Sequence, residues 1–234
     1  MRKKELTLST EPIKFSDPEI KRRCIKAGWD LDGDGEISYA EAAKVKDIRG
    51  IFSENHIGRY YQGVARIITF DEFQYFTGIE IIPEYAFAEC INLRKISIPK
   101  SVRYIEKCAF VSSGLENIDI PDTVVSIKNM AFLECKNLRN ARIFSRINKI
   151  ENGSFCGCSS LKYVRIPDTI ETIGESAFAG CGFESFRFSN NLRIIEKLSF
   201  SGCGLKELRL PESIEIVSEY AFFHVSLLKH SLFL

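Results

Sequence analysis

Leu93-Arg94-Lys95-Ile96-Ser97-Ile98-Pro99, followed by Val102, Ile105 and Ala109-Phe110, decides the fold because it recurs. The phenylalanine at its end returns at Phe87, Phe110, Phe132, Phe155, Phe178, Phe200 and Phe222, a spacing of 22 or 23 residues throughout. A fixed period of this length is the signature of a stacked-repeat architecture. Counting the leucine as position zero, positions zero, three and five read Leu93/Ile96/Ile98, Leu115/Ile118/Ile120, Leu138/Ala141/Ile143, Leu161/Val164/Ile166, Phe183/Phe186/Phe188 and Leu205/Leu208/Leu210. Apolar residues that alternate with polar ones predict a half-buried strand. Pro99, Pro121, Pro167 and Pro211 then end backbone pairing. Further aliphatics follow at positions nine and twelve, then an Ala-Phe or Ser-Phe turn and a small residue, usually Cys.

The two repeat lengths have one source. Long repeats place two residues between the Cys position and the leucine, as in Cys90-Ile91-Asn92-Leu93. Short ones place a single glycine there: Gly114, Gly182 and Gly204. The expectation is that glycine supplies the tight backbone conformation of a shortened turn. No repeat can bury its apolar set alone, but stacked coils can, with a rise of about 4.8 Å per coil. Each buried Phe then contributes roughly 1.5–3 kcal/mol. The sequence thus predicts an α/β repeat solenoid, with a parallel sheet on one face, over residues 79–234. That is about seven repeats, preceded by a polar segment at 1–15 and a small helical cap at 16–78.

The pattern L-x-x-I-x-I-P-x-x-[VI]-x-x-I-x-x-x-[AS]-F-x-x-C resembles the BspA-like leucine-rich-repeat family of bacterial, Bacteroidetes-type surface proteins. The resemblance covers about residues 79–234. It implies a surface or secreted interaction protein of adhesin type, extracellular or on the cell surface.

Composition narrows the classes. The formal net charge of +1 gives no bulk case for nucleic acid or a membrane surface. No apolar run approaches the roughly 20 residues of a transmembrane helix. The first ten residues carry a basic end without an apolar stretch, so they do not read as a signal peptide; either the protein stays inside or a leader has been removed. Of eight cysteines, Cys90, Cys135, Cys158, Cys181 and Cys203 share one column with Ser113 and Val225. Small residues that bury well are expected there, as free thiols rather than disulfides. Cys156-Gly157-Cys158 is too short for a zinc signal. His56, His224 and His230 fall in no nucleophile, metal-hydrolase or phosphate-loop motif.

Upstream of the repeats, residues 1–15 are polar and expected to be loosely ordered. Ser16-Asp17-Pro18-Glu19 opens a helix, with Ser16 as cap, running to about Trp29. Next comes a complete EF-hand loop pattern, Asp30 to Glu41. Asp30, Asp32 and Asp34 offer carboxylates at loop positions one, three and five. Gly35 makes the turn, Glu36 offers its carbonyl, Ser38 acts through water and Glu41 gives both oxygens. Calcium is the cofactor this spacing predicts. An acidic capped turn without metal is the alternative, but four carboxylates held this close repel without a cation.

Ile68-Thr69-Phe70-Asp71-Glu72-Phe73 matches the second half of that loop, while Tyr61–Ile67 carries no carboxylate. One reading is a paired EF-hand whose second member has lost its ligands, with Ile37 and Ile68 meeting in a short bridge. The other is a strand followed by a helix capped by Thr69 and Glu72. Phe73, Phe76, Ile79 and Ile82 then lead into the first coil as a cap. The opening module also looks like the leading module of some family members from gut-dwelling Bacteroidetes. At the other end Val225 replaces Cys, and Ser231 and Leu232–Leu234 leave an apolar terminus that could self-associate.

Binding residues are sought on the outward strand positions. Position four reads Ser97, Asp119, Arg142, Arg165, Arg187 and Arg209, with Arg139, Lys162, Lys206, Asn140 and Tyr163 beside it. Stacked arginines repel. The stripe is either a docking face for a protein or an acidic or sulfated glycan, or a solvated ladder paired locally with Glu184 and Glu207. Three function classes stand: a surface interaction module, a structural module stacking through its C-terminal repeat, and a calcium-responsive intracellular binding protein. In the first, extracellular calcium would staple the cap.

Overall fold

The phenylalanine column is a continuous stack of rings. In the computed structural model, which describes residues 9–53 and 67–225, Phe87, Phe110, Phe132 and Phe155 follow one another at 5.1–5.2 Å between centroids and within 6° of parallel. Phe178, Phe200 and Phe222 continue the column at 5.3–5.5 Å. Phe52, from the segment before the repeats, adds one more ring below Phe87. A coil-to-coil rise near the strand spacing brings identical side chains into contact, so each coil supplies the apolar neighbour that the next one lacks.

Most coils contribute two short strands, and the last two contribute one. The first set is β1 (Thr69–Phe70), β3 (Lys95–Ile96), β5 (Asn117–Ile120), β7 (Asn140–Ile143) and β9 (Tyr163–Arg165). β1 pairs with β3, and β5-β7-β9 form a three-stranded sheet, all parallel. The second set is β2 (Ile81–Ile82), β4 (Tyr104–Ile105), β6 (Ser126–Ile127), β8 (Lys149–Ile150), β10 (Thr172–Ile173), β11 (Ile194–Ile195) and β12 (Ile216–Val217). These pair in parallel as β2-β4-β6 and β8-β10-β11-β12. The parallel-sheet solenoid expected from the repeat is therefore present. A second ladder, starting at Ile81, accompanies the first, which reaches upstream of residue 79 to Thr69.

A third ladder runs along the phenylalanine turns. The N–H of Phe87 donates to Ala109 O, Phe110 to Ala131 O, Phe132 to Ser154 O, Phe155 to Ala177 O, Phe178 to Ser199 O and Phe200 to Ala221 O, at 2.8–2.9 Å. The turn is sharp because the residues two before and two after the Phe are both left-handed, as at Cys108 and Ser112 or Gly153 and Gly157. Gly114 and Gly182 serve the short repeats for a different reason from the expected one. Neither has positive φ; instead a Cβ would lie 2.0 Å from Ile91 O and 2.2 Å from Ser159 O. The shortened corner presses backbone on backbone, and only glycine leaves room.

The cap is two helices, α1 (Pro18–Lys26) and α2 (Tyr39–Lys44). Asp17, one residue later than expected, caps α1 by accepting the Glu19 N–H. Ile20 and Cys24 are buried, and Trp29 packs on Phe52 and Phe76. Two expectations fail here. Residues 9–15 are not loose: Ile13 is buried and its N–H donates to Ile37 O at 2.8 Å. Ile37 therefore meets Ile13, through a bridge at Pro12 and Ser38, and not Ile68. Ile68 instead donates to the buried Asp17 carboxylate at 2.6 Å and accepts from Arg94. Thr69 is no cap either. The short 3-10 helix Asp71–Tyr75 has no side-chain cap, and Glu72 turns inward to accept from the N–H and hydroxyl of Ser16. These two buried carboxylates tie the cap to the first coil. His56, the unliganded half-loop from Tyr61 to Arg66, and the terminus containing His230, Ser231 and Leu232–Leu234 lie outside the described residues.

Candidate functional site: an acidic loop and a charged strand face

The acidic loop joins α1 to α2. Gly33 and Gly35 are both left-handed, which folds the chain back on itself so that its N–H groups point inward. Asp30 accepts from Gly33 and Gly35, Asp32 from Asp34, and Asp34 from Glu36. Glu41 accepts from Leu31 and from both the N–H and the hydroxyl of Ser38, closing a capping box on α2. Burial opposes ionisation of Glu41, but the Ser38 and Leu31 donors outweigh it and hold its carboxyl below the usual range.

One oxygen each from Asp30, Asp32 and Glu41 lie within 4.8 Å of one another. Oxygens sharing a calcium ion at about 2.3–2.6 Å sit no more than about 5 Å apart. The three converge as the spacing of the loop predicts, and the donors are all hard oxygens, so the set fits a hard divalent cation. Asp34 and Ser38 hold neighbouring loop positions outside that trio. The Glu36 side chain leaves the loop to pair with Lys21, which frees only its carbonyl for the role expected of it.

The strand face is in the predicted register. Asp119, Arg142 and Arg165 stand opposite one another across β5-β7-β9, as do Asn117, Asn140 and Tyr163. The arginines do not simply repel. Arg142 forks onto Asp119, with Nε at 2.6 Å. Arg209 lies 3.3 Å from Glu207, and Lys206 pairs with Glu184. Beside and beyond Arg142 the stripe is unbalanced. Among the described residues Arg139, Lys162, Arg165 and Arg187 make no ion pair, and Tyr163 is 71 % exposed between them.

Phe144 was not anticipated as a site residue. It occupies the position where four other repeats carry proline, is 42 % exposed, and has the guanidinium carbons of Arg142 and Arg165 at 5.8 and 5.7 Å from its ring centroid. An aromatic in a proline column was the available signal. The ring holds both cations by their attraction to its π face.

The family described as BspA type leucine-rich repeat region matches in six copies, over residues 65–183 and 148–233. No curated protein matches the sequence. Among solved structures, a leucine-rich repeat protein from Eubacterium ventriosum is 24 % identical with a TM-score of 0.65, covering 74 % of this chain and 47 % of that one. A leucine-rich cell surface protein from Faecalibacterium prausnitzii is 24 % identical with a TM-score of 0.43, covering 67 % and 54 %. The chain thus spans about half the length of these proteins, and the first likeness bears on the fold alone. Among the described residues no helix is long and apolar enough to cross a membrane.

Proposed function

The chain belongs to the BspA-type leucine-rich-repeat family, and from that premise we propose that it is a protein-interaction module displayed on or outside the cell. Its strand face is the contact surface, and its leading cap is stapled by one calcium ion. The observation that carries the binding role is the imbalance of that face. Successive coils align exposed polar side chains, and Arg139, Arg165 and Arg187 stand there without an ion pair, with Lys162 held only within electrostatic reach of Glu184. A planar guanidinium suits forked recognition of a carboxylate or sulfate, and the rigid stack presents it at little entropic cost. Adhesion to a cell surface through a protein or an acidic or sulfated glycan is the corresponding reading. It is tested by comparing cell binding of the native chain with a variant carrying Arg139→Glu, Lys162→Glu and Tyr163→Ala. Loss of binding with an unchanged melting curve supports it, and unchanged binding removes the strand face from consideration.

For the cap, Asp30, Asp32, Asp34 and Glu41 would hold calcium with the Glu36 carbonyl, and Ser38 through water. The ion would supply charge neutralisation where three carboxylates converge beside a fourth, Asp34. The chain itself fixes the loop by the Ile13–Ile37 pairing and by the Ser38–Glu41 box, so the cation would join α1 to α2 on a frame already shaped for it. Calorimetric titration with calcium should show one site, lost in Asp32→Ala. Chelation should lower the melting temperature while the repeats keep their β circular dichroism. Two tight sites, or a melt indifferent to chelation, would exclude a single structural ion.

A further inference from the structure

The strand-face ladder, interrupted once between β3 and β5, ends at β9, although the stack does not. On the other side, β10 continues to β11 and β12 in register, and the turn ladder continues from Phe178 to Ser199 and Phe200 to Ala221. Beside β9, however, the next strand segment never pairs: the N–H groups of Phe186, Arg187 and Phe188 donate to no main-chain carbonyl. The cause is in the sequence. Positions zero, three and five of this coil are Phe183, Phe186 and Phe188, where other coils carry Leu, Ile, Val or Ala. These rings crowd against Phe178 and Phe200 at 5.0–6.1 Å. Phe178 and Phe200 are tilted by 24°, against 4–8° for the ring pairs from Phe87 to Phe178. An oversized core layer cannot fit the coil spacing and is relieved by a backbone shift. Here the coils part on the strand face.

The parting leaves a cleft of about 550 Å³ whose lining includes Phe144, Val164, Arg165, Ile166, Arg187 and Phe188. Val164 and Ile166 are half-exposed there, whereas Ile118, Ile120, Ala141 and Ile143 at the same positions are buried. Both arginines on its walls lack an ion pair, and the rim carries a single carboxylate, Asp168, which accepts at 3.5 Å from the Asn190 N–H.

We propose that this cleft receives an extended acidic segment of a partner polypeptide. The proposal rests on the reading of the strand face as the contact surface and narrows it to one slot and one ligand class. Three features select polypeptide. The outer edge of β9 and the Phe186–Phe188 segment offer unpaired main-chain groups, which an extended chain satisfies with its own. The half-exposed Val164 and Ile166 suit alternate apolar side chains. Arg165 and Arg187 suit the carboxylates between them, each able to fork. A sugar would stack on an unoccupied ring, and Phe144 is already engaged by Arg142 and Arg165.

The test is fluorescence anisotropy with a labelled peptide alternating Glu and Val. Binding is expected, weakened at least about tenfold by Arg165→Glu or Arg187→Glu, since truncated charge pairs typically cost that much or more. Lys128→Glu, exposed beside β6 and away from the strand face, should leave it unchanged. Methylation of alternate peptide nitrogens should also abolish binding. The double variant Phe186→Ile with Phe188→Ile restores the residues used by other coils; it should close the cleft, slow hydrogen exchange at the Arg187 amide and eliminate peptide binding. Absence of peptide binding, binding indifferent to N-methylation, exclusive binding of a sulfated oligosaccharide, or binding that survives closure of the cleft each overturns the proposal. If the peptide fails while the Arg139/Lys162/Tyr163 variant still abolishes cell binding, the cleft is refuted and the broader reading stands.

Discussion

A single column explains why cysteine is so frequent in these repeats. Each thiol points across the stack at a phenylalanine carbonyl: Cys135 to Phe110 O at 3.0 Å, and Cys158 to Phe132 O, Cys181 to Phe155 O and Cys203 to Phe178 O at 3.1 Å. The same carbonyls take the N–H three residues on, so both lone pairs are used. All eight cysteines are free, the five of this column as expected, but the hydrogen bond was not legible, because smallness alone would equally have allowed alanine. Cys158→Ser should keep the donor and melt within a few degrees of the native chain, as Ser113 already fills this column. Cys158→Ala should cost about 1–2 kcal/mol in chemical denaturation, from a lost bond and a small void. Burial also pushes Cys90 and Cys203 up to about 12 from the usual 9. Their folded-state pKa values are raised, so the stability they confer is complete below about pH 9 and is lost as the pH climbs toward 12. Melting temperatures measured across that window should fall, and thiol alkylation at neutral pH should require unfolding.

The turn is the element whose shape the repeat pattern did not disclose. Its Ala-Phe core was visible in the sequence, but the two left-handed residues that flank it were hidden, because Tyr85, Cys108, Met130, Leu198 and Tyr220 share no chemistry that marks positive φ. The second of these columns does leave a trace: it reads Glu89, Ser112 and Glu134 early in the stack and Gly157, Gly180 and Gly202 later. A non-glycine residue in this conformation costs roughly 1–2 kcal/mol against the right-handed region. Glu89→Gly, at an exposed site, should therefore stabilise by up to about 1 kcal/mol after the added freedom of the unfolded chain is subtracted. Gly114→Ala should do the opposite, despite its ordinary φ, because its Cβ would stand 2.0 Å from Ile91 O. A denaturation series on the two variants separates left-handed glycine from close-contact glycine. The acidic loop was legible for a comparable reason. Asp30, Asp32 and Glu41 must keep their spacing for their oxygens to converge, whereas the partner of Ile37 depended on Ile13, a distant residue with no pattern of its own.

At the scale of the molecule, a stack in which each coil touches only its neighbours need not be uniformly stable. The repeat made the overall architecture plain, yet it implied equal coils, and they are not equal. Coils containing β5, β7 and β9 are laced on the strand face and the turn, and on the other ladder except between β6 and β8. The coil of Phe183–Phe188 and the one after it keep only the last two, since the backbone N–H groups of Leu208, Arg209 and Leu210 also donate to no main-chain carbonyl. The three-phenylalanine layer was visible in the sequence; its consequence was not, because whether a core absorbs large rings by compression or by parting depends on how far neighbouring coils can yield. Local opening follows the hydrogen bonds that are absent. Native-state hydrogen exchange should therefore show the amides of Phe186–Phe188 and Leu208–Leu210 exchanging fastest among the strand positions, and those of Ile118, Ile120, Ala141 and Ile143 slowest. Closing the gap with Phe186→Ile and Phe188→Ile should move the first group toward the second while leaving the Phe132 and Phe155 turn amides unchanged. Protection that is uniform along all the strand segments of the native chain would show that the coils are equally bound, and that the ring layer exacts nothing from the ladder beside it.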